Sequence, residues 1–360
     1  MAVTLTTQLP AHAFATEIRR LDFKAEANTS HTIALTLAGT EVISTTLTAD
    51  AAGAMTLADT GWLLSVIALQ IMEHDDEFDQ QLSIKADGTE VGAITLWPCR
   101  QALYLSGEDF VQRSFLTMAG GGCKEVPFDA DEWLYWYPAT TDPSPMRATY
   151  TAVYMEAQTG AVRRLSNYGS VEPSYGAVYS VDASPRAVLG PDDPTADPQA
   201  AMQLLYYEVS VGQRTMRYRL TPTDRNAAPV TRLGFRNVFG LDDTLYLSGE
   251  VAETLKPTYT QIIADGMALN ANIEAQAEYK ATTGPLTATD VALLKDLATS
   301  RSTWHGEAGI TITAAELKDT NAYATAPTAT ITWRESQSGL SVLTPLPQRT
   351  FNMTFDATFL

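Results

Sequence analysis

Cysteine, histidine and basic side chains are scarce in this chain. Its 360 residues hold two cysteines, Cys99 and Cys123, and four histidines, His12, His31, His74 and His305. Two thiols build no disulfide framework, and no Cys-x-x-Cys pair exists to hold zinc. The plain reading is two buried or half-buried free thiols. Lysine and arginine number 24 against 42 acidic residues, a formal charge of −18. That sign repels phosphate backbones, and the densest basic spots, Arg19-Arg20 and Arg163-Arg164, are isolated pairs, so nucleic acid is not an expected partner. Self-repulsion of this size also implies that any assembly depends on salt or divalent cations. The longest apolar run, Trp62 to Met72, contains Ser65 and Gln70 and is too short to cross a bilayer, so no membrane partner is expected. Met1 to Leu21 lacks a basic start followed by an apolar run; we therefore expect no secretory signal and a cytoplasmically made chain.

Catalytic spacing is also missing. There is no Gly-x-Ser-x-Gly elbow, and the four histidines are scattered. Gly120-Gly121-Gly122-Cys123-Lys124 lacks the spacing of a phosphate loop and is not followed by a helix pattern that could bind an anion. Glu73-His74-Asp75-Asp76-Glu77 has metal-like chemistry but no known loop geometry, and reads as a solvated acidic turn. Asp192-Asp193 and Asp197, among prolines, are equally weak as a calcium site. No catalytic residue, cofactor or metal is expected.

What is present is an ordinary globular balance, 45% apolar and 18% charged, and length enough for two or three cores. Leu-Tyr-Leu-Ser-Gly-Glu occurs at Leu103 to Glu108 and again at Leu245 to Glu250. Ile18-Arg19-Arg20-Leu21 echoes Val162-Arg163-Arg164-Leu165 at nearly the same spacing, which points to a duplicated module. His31 to Leu37 alternates, with Ile33, Leu35 and Leu37 on one face; after Ala38-Gly39 the pattern resumes from Val42 to Leu47. Leu82 to Leu96 reads as a hairpin turning at Asp87-Gly88, and Leu204 to Leu220 as one turning at Gly212-Gln213. Trp62 to Met72 is open between strand and helix, with Asp59 or Thr60 as a cap tipping it towards helix. Thr287 with Asp290 forms a capping box ahead of a Val291, Leu294, Leu297, Ala298 stripe, with Lys295 and Asp296 outside it. A closing strand is expected at Phe351, Met353 and Phe355.

These patterns predict a mainly β protein: two tandem antiparallel β-sandwich domains related by duplication, 1–145 with a Gly-rich and aromatic extension and 146–251, then a C-terminal α+β domain, 252–360, with one helix on a sheet. The Pro138 to Pro145 stretch reads as the linker, and Gly190 to Pro198 as a proline-rich loop. Beside the linker lies an aromatic block, Trp133, Tyr135, Trp136 and Tyr137. It is the candidate contact surface, between subunits or domains; a core role and sugar stacking are the alternatives.

Leu205-Tyr206-Tyr207-Glu208-Val209-Ser210-Val211-Gly212, Phe235-Arg236-Asn237-Val238-Phe239-Gly240, the Tyr279 to Thr287 segment leading into a helix, the Phe351 to Phe355 strand and Thr48 to Gly53 together resemble a group of tail-associated structural proteins of phages and prophages. The resemblance covers about two thirds of the chain and implies a non-enzymatic virion component, in the tail, baseplate or fibre attachment, assembled in the host cytoplasm. Its partners would be copies of itself and other virion proteins. A carbohydrate- or receptor-binding module using the aromatic block is the alternative.

Overall fold

The computed structural model describes residues 2–120, 122–140, 142, 146–174, 176–190, 202–221, 230–264, 267–318 and 326–336. Strands dominate and form five sheets; the described residues also hold four α-helices, α1 (Thr60–Asp75), α2 (Gly107–Arg113), α3 (Pro185–Leu189) and α4 (Ala288–Thr299).

In the first unit the alternating segment becomes strand Ser30–Leu37, with Ile33, Leu35 and Leu37 fully buried. Ala38-Gly39 (φ 46° and 82°) and Asp87-Gly88 (φ 47° and 80°) hold positive φ at both positions, as type I′ turns require, and close the hairpins Ser30–Leu37/Thr40–Thr48 and Gln80–Ala86/Thr89–Trp97. With His12–Phe14 these strands make a five-stranded sheet. Thr4–Leu5, Arg20–Lys24 and Ala54–Ala58 make a three-stranded one. The Trp62 to Met72 run is helical, in α1, whose Leu64 and Ala68 share a core with Leu21, Ile33 and Leu82. Asp59 (φ 57°) gives α1 no side-chain cap; the Thr60 hydroxyl donates to the Ile18 carbonyl instead.

The middle unit is a sandwich. Its five-stranded sheet runs Val162–Gly169, Ala148–Glu156, Met202–Val211, Arg214–Leu220, Cys123–Val126, the last pair parallel. Facing it, Trp133–Trp136, Val178–Asp182 and Glu172–Ser174 form a three-stranded sheet, with Trp136, Tyr150, Tyr154, Val209 and Met216 among the residues of the core. Gly212 (φ 59°) supplies the tight turn expected of it.

The third unit is a seven-stranded sheet in the order Asp242–Ser248, Val230–Arg236, Thr303–His305, Ala308–Lys318, Thr328–Glu335, Met267–Thr282, Val251–Ala264. Thr287 and Asp290 form the expected capping box, and α4 packs on strands Asp242–Ser248, Ala308–Lys318 and Cys123–Val126. Its buried stripe is Leu293, Leu294 and Leu297; Ala298 is exposed and Asp296 buried. The inward turn of Asp296 follows from its partners, the Arg100 guanidinium at 2.5 Å and the Val238 amide at 3.1 Å.

Two sequence expectations need correction. Hydrogen bonding crosses both expected boundaries: Cys123–Val126 and Trp133–Trp136 belong to the middle unit, and Val230–Arg236 and Asp242–Ser248 to the third. The repeated hexapeptide does not mark equivalent elements. Leu103 to Leu105 lie in a loop and Ser106 caps α2, whereas Leu245 to Ser248 end a strand. The Phe351, Met353 and Phe355 strand, the loop beyond Gly190 with Asp192, Asp193 and Asp197, Gly121 and half of the expected linker (141 and 143–145) lie outside the described residues.

The last two strands of the large sheet outrun it. Thr328–Glu335 bonds only Glu278 to Thr282 of its neighbour, while Val251–Ala264 and Met267–Thr282 pair along nearly their whole length. Leu255–Ala264 with Met267–Ala277 is therefore a ribbon of two strands, hydrogen-bonded only to each other among the described residues. At about 3.3 Å per residue it reaches roughly 33 Å beyond the sheet.

Candidate functional site

The four aromatics expected to form a contact surface lie on or just after strand Trp133–Trp136, and the two-residue period of a strand separates them. Trp136 is fully buried in the middle sandwich, stacked on Tyr179 with centroids 5.9 Å apart. Tyr135 and Tyr137 meet a second apolar cluster that joins all three units: Phe14, Phe78 and Trp97 from the first, Val178 from the middle, Val238 and Phe239 from the third. The Tyr137 ring lies 4.8 Å from Trp97, and its hydroxyl donates to Asp79 Oδ2 at 3.2 Å, while Trp97 Nε1 donates to Asp79 Oδ1 at 2.8 Å. Burial, and then the Asp79 charge, push the Tyr137 hydroxyl up to about 12. Only Trp133 faces solvent, 41% exposed, its Nε1 donating to Asp131 Oδ1 at 3.1 Å. The block thus divides into core, internal seam and a single exposed ring.

Trp133 stands at the mouth of a cleft of about 470 Å³ between the three-stranded sheet and the start of the seven-stranded one. Trp304 forms part of the wall, and its seat is made by Gly234: a Cβ there would fall 2.0 Å from Trp304 Nε1. Only glycine lets the indole lie on the strand so closely. Carboxylates of Asp131, Glu132, Glu172, Asp242 and Asp243 line the cleft, with Arg232 as the lining cation.

Beneath the cleft lies Lys124, the residue that ends the Gly-rich loop in the sequence. It points inward, fully buried: Nζ donates to Glu132 Oε2 at 2.8 Å and to Asp243 Oδ1 at 3.1 Å. Burial pulls the ammonium down, but the two carboxylates outweigh it and leave Lys124 above the ordinary lysine value. Burial pushes Glu132 up, which Lys124 only partly offsets. The Thr117 hydroxyl donates to the other oxygen of Asp243 at 2.5 Å. The buried Tyr246 hydroxyl is set against the Glu132 carboxylate, and the Tyr218 hydroxyl lies buried beside them. Gly122, in the same loop, abuts α4, where a Cβ would meet Thr289 Oγ1 at 2.0 Å. A lysine committed in this way is not a phosphate ligand.

No protein-family model and no curated protein matches the chain. Function has to be read from the residues themselves.

Among the described residues no group of three or more His, Cys, Asp or Glu is placed to hold a metal ion, and Glu73 to Glu77 are exposed at the end of α1. Both cysteines are free thiols; burial pushes Cys99 up to about 12. One arrangement has triad-like distances: Thr29 Oγ1 to His31 Nε2 at 2.8 Å and His31 Nδ1 to Asp87 Oδ2 at 2.6 Å. The Thr29 hydroxyl, however, also donates to the Glu26 carbonyl at 2.6 Å, which competes with the imidazole for its one proton. Asp87 also accepts the Thr32 amide, so the set ties the Asp87-Gly88 turn to the neighbouring strand.

Sequence reasoning missed Lys124, Trp304, Arg214 and Asp296. Arg214 is fully buried, bonded to Asp142 at 3.0 Å and to the carbonyls of Val111 and Tyr137. The missed partners are far apart in sequence, and no local pattern marks them.

Proposed function

We propose that this protein is a structural subunit that works by joining copies of itself, and other particle proteins, through open sheet edges. The phage virion suggested by the sequence resemblance is the setting this reading favours. The observation that carries it is the two-stranded ribbon Leu255–Ala264/Met267–Ala277. An isolated ribbon is marginal in water, and among the described residues no strand pairs with its outer edge, which leaves a row of amides and carbonyls for another strand. A chain retains such an arm when another chain completes it. Strand Val162–Gly169 supports the same reading. Among the described residues it is the edge of the middle sheet, with Val162, Leu165 and Tyr168 more than half exposed.

The test excises residues 257–275 and closes Lys256 to Gln276, which are paired, with an Asn-Gly turn. Light scattering and electron microscopy of the full chain are expected to show rings, tubes or other closed oligomers, and the shortened chain a monomer with an unchanged melting temperature. A full chain that stays monomeric at every concentration and salt, or a shortened chain that assembles as before, refutes the role.

A further inference from the structure

The cleft between Trp133 and Trp304 has no part in joining sheet edges, and its chemistry is specific. Its volume, about 470 Å³, falls in the roughly 300–1,000 Å³ range of small-ligand sites. Two indoles border it, and both are held before any ligand arrives: Trp133 by its bond to Asp131, Trp304 by its seat on Gly234. Such rings present flat apolar faces at little cost in lost side-chain freedom. Glu132 is 3% exposed and engaged inside the fold, by Lys124 Nζ and by the neighbouring Tyr246 hydroxyl, so the cleft's accessible carboxylates are the exposed ones of Asp131 and Glu172.

Charge narrows the ligand class. Five carboxylates line the cleft against one lining arginine, so an anionic ligand is repelled. Most of that negative charge is already matched: Lys124 serves Glu132 and Asp243, Arg232 lies 3.8 Å from Asp131, and Arg236 lies 3.3 Å from Asp242. The demand for a cation is therefore small. What the walls still offer is carboxylate lone pairs between aromatic faces. A carboxylate accepts from two adjacent hydroxyls, and a sugar ring carries those hydroxyls at its rim and an apolar patch of C–H groups on its face.

We infer that this cleft is a binding site for a neutral saccharide, stacked on Trp133 and Trp304 and hydrogen-bonded by its hydroxyls to Asp131 and Glu172. This reading is independent of the assembly role, since the ribbon and the cleft share no residue.

The test is calorimetric titration of the full chain with maltohexaose, cellohexaose, chitohexaose and mannohexaose, and with sialyllactose and a heparin fragment as anionic probes. At least one neutral oligosaccharide is expected to bind, with a change in tryptophan fluorescence, and the anionic probes not to bind. Trp133→Ala and Trp304→Ala should each weaken binding at least about tenfold, the scale of losing a central aromatic contact. Trp133 and Glu172 are exposed, so Trp133→Ala and Glu172→Gln should keep the wild-type melting temperature while affinity falls. Trp62→Ala, at an exposed ring on α1, should leave binding unchanged. Failure of every neutral probe at millimolar concentration, preference for an anionic probe, or binding that survives both cleft tryptophan substitutions overturns the inference.

Discussion

Replacing Lys124 with methionine is the most exacting test of the buried charge cluster. Methionine keeps most of the side chain's length and apolar stem, so packing changes little. What disappears is the ammonium that faces Glu132 at 2.8 Å and Asp243 at 3.1 Å, in a site where the three side chains are 4%, 3% and 9% exposed. Breaking a buried ion pair from one side costs about 3–5 kcal/mol, because the orphaned charge has no water to turn to. Here two carboxylates are orphaned, which places the expected loss at the upper end, about 5 kcal/mol. The loss must also depend on pH. Burial already raises Glu132, and without Lys124 it rises further. A carboxyl whose folded value is raised stabilises the fold below its unfolded value and loses that contribution as pH climbs through the folded one. The deficit should therefore be larger near pH 8 than near pH 5, as urea unfolding followed by tryptophan fluorescence would measure. Adding Glu132→Gln to Lys124→Met should restore part of the loss and flatten the pH dependence. A deficit under about 1 kcal/mol, or one equal at both pH values, would show that Lys124 does not carry the two charges.

Gly234→Ala should lower stability by about 1–3 kcal/mol, because the new methyl must expel Trp304 from its seat; thermal unfolding measures the loss, and a shift in tryptophan emission reports the displaced ring. Asp79→Ala removes both acceptor oxygens at the seam between the first and middle units, and should cost about 2–4 kcal/mol in urea unfolding. Asp296 is raised to about 7 by burial, with Arg100 only partly opposing. Its stabilising contribution is complete below the ordinary aspartate value and is lost as pH rises through about 7, so Asp296→Asn should remove a fall in stability between pH 4 and pH 7; a slope unchanged by the substitution would contradict the assignment. With a formal charge of −18, assembly should strengthen with added salt or magnesium, visible as larger particles in light scattering.

The elements legible in the sequence were those set by neighbours along the chain. Ala38-Gly39 and Asp87-Gly88 place their hairpins, and Thr287 with Asp290 starts α4, because turn and cap chemistry act over two to four residues. Ile33, Leu35 and Leu37 face inward because strand period and apolarity agree. The partition into units was not legible, since it depends on remote pairings such as Arg217 with Cys123 and Phe235 with Thr303. The repeated hexapeptide misled for a related reason: the same six residues cap a helix in one place and end a strand in another, as their surroundings dictate. Of the cleft's lining, Trp133 and Tyr135 were visible in advance. Trp304 and Lys124 acquire their roles from Gly234, Glu132 and Asp243, which no spacing rule connects to them.

The parallel bond between Cys123–Val126 and Arg214–Leu220 has a consequence for how the chain matures. Translation delivers residues 2–97 as a unit with its own core long before the middle sheet can close. Cys123–Val126 stays without its partner strand until residue 220 has been made, so closing the middle sheet is a slow, long-range step. Expression fragments ending before Arg214 should consequently yield a soluble first unit trailing a protease-sensitive remainder.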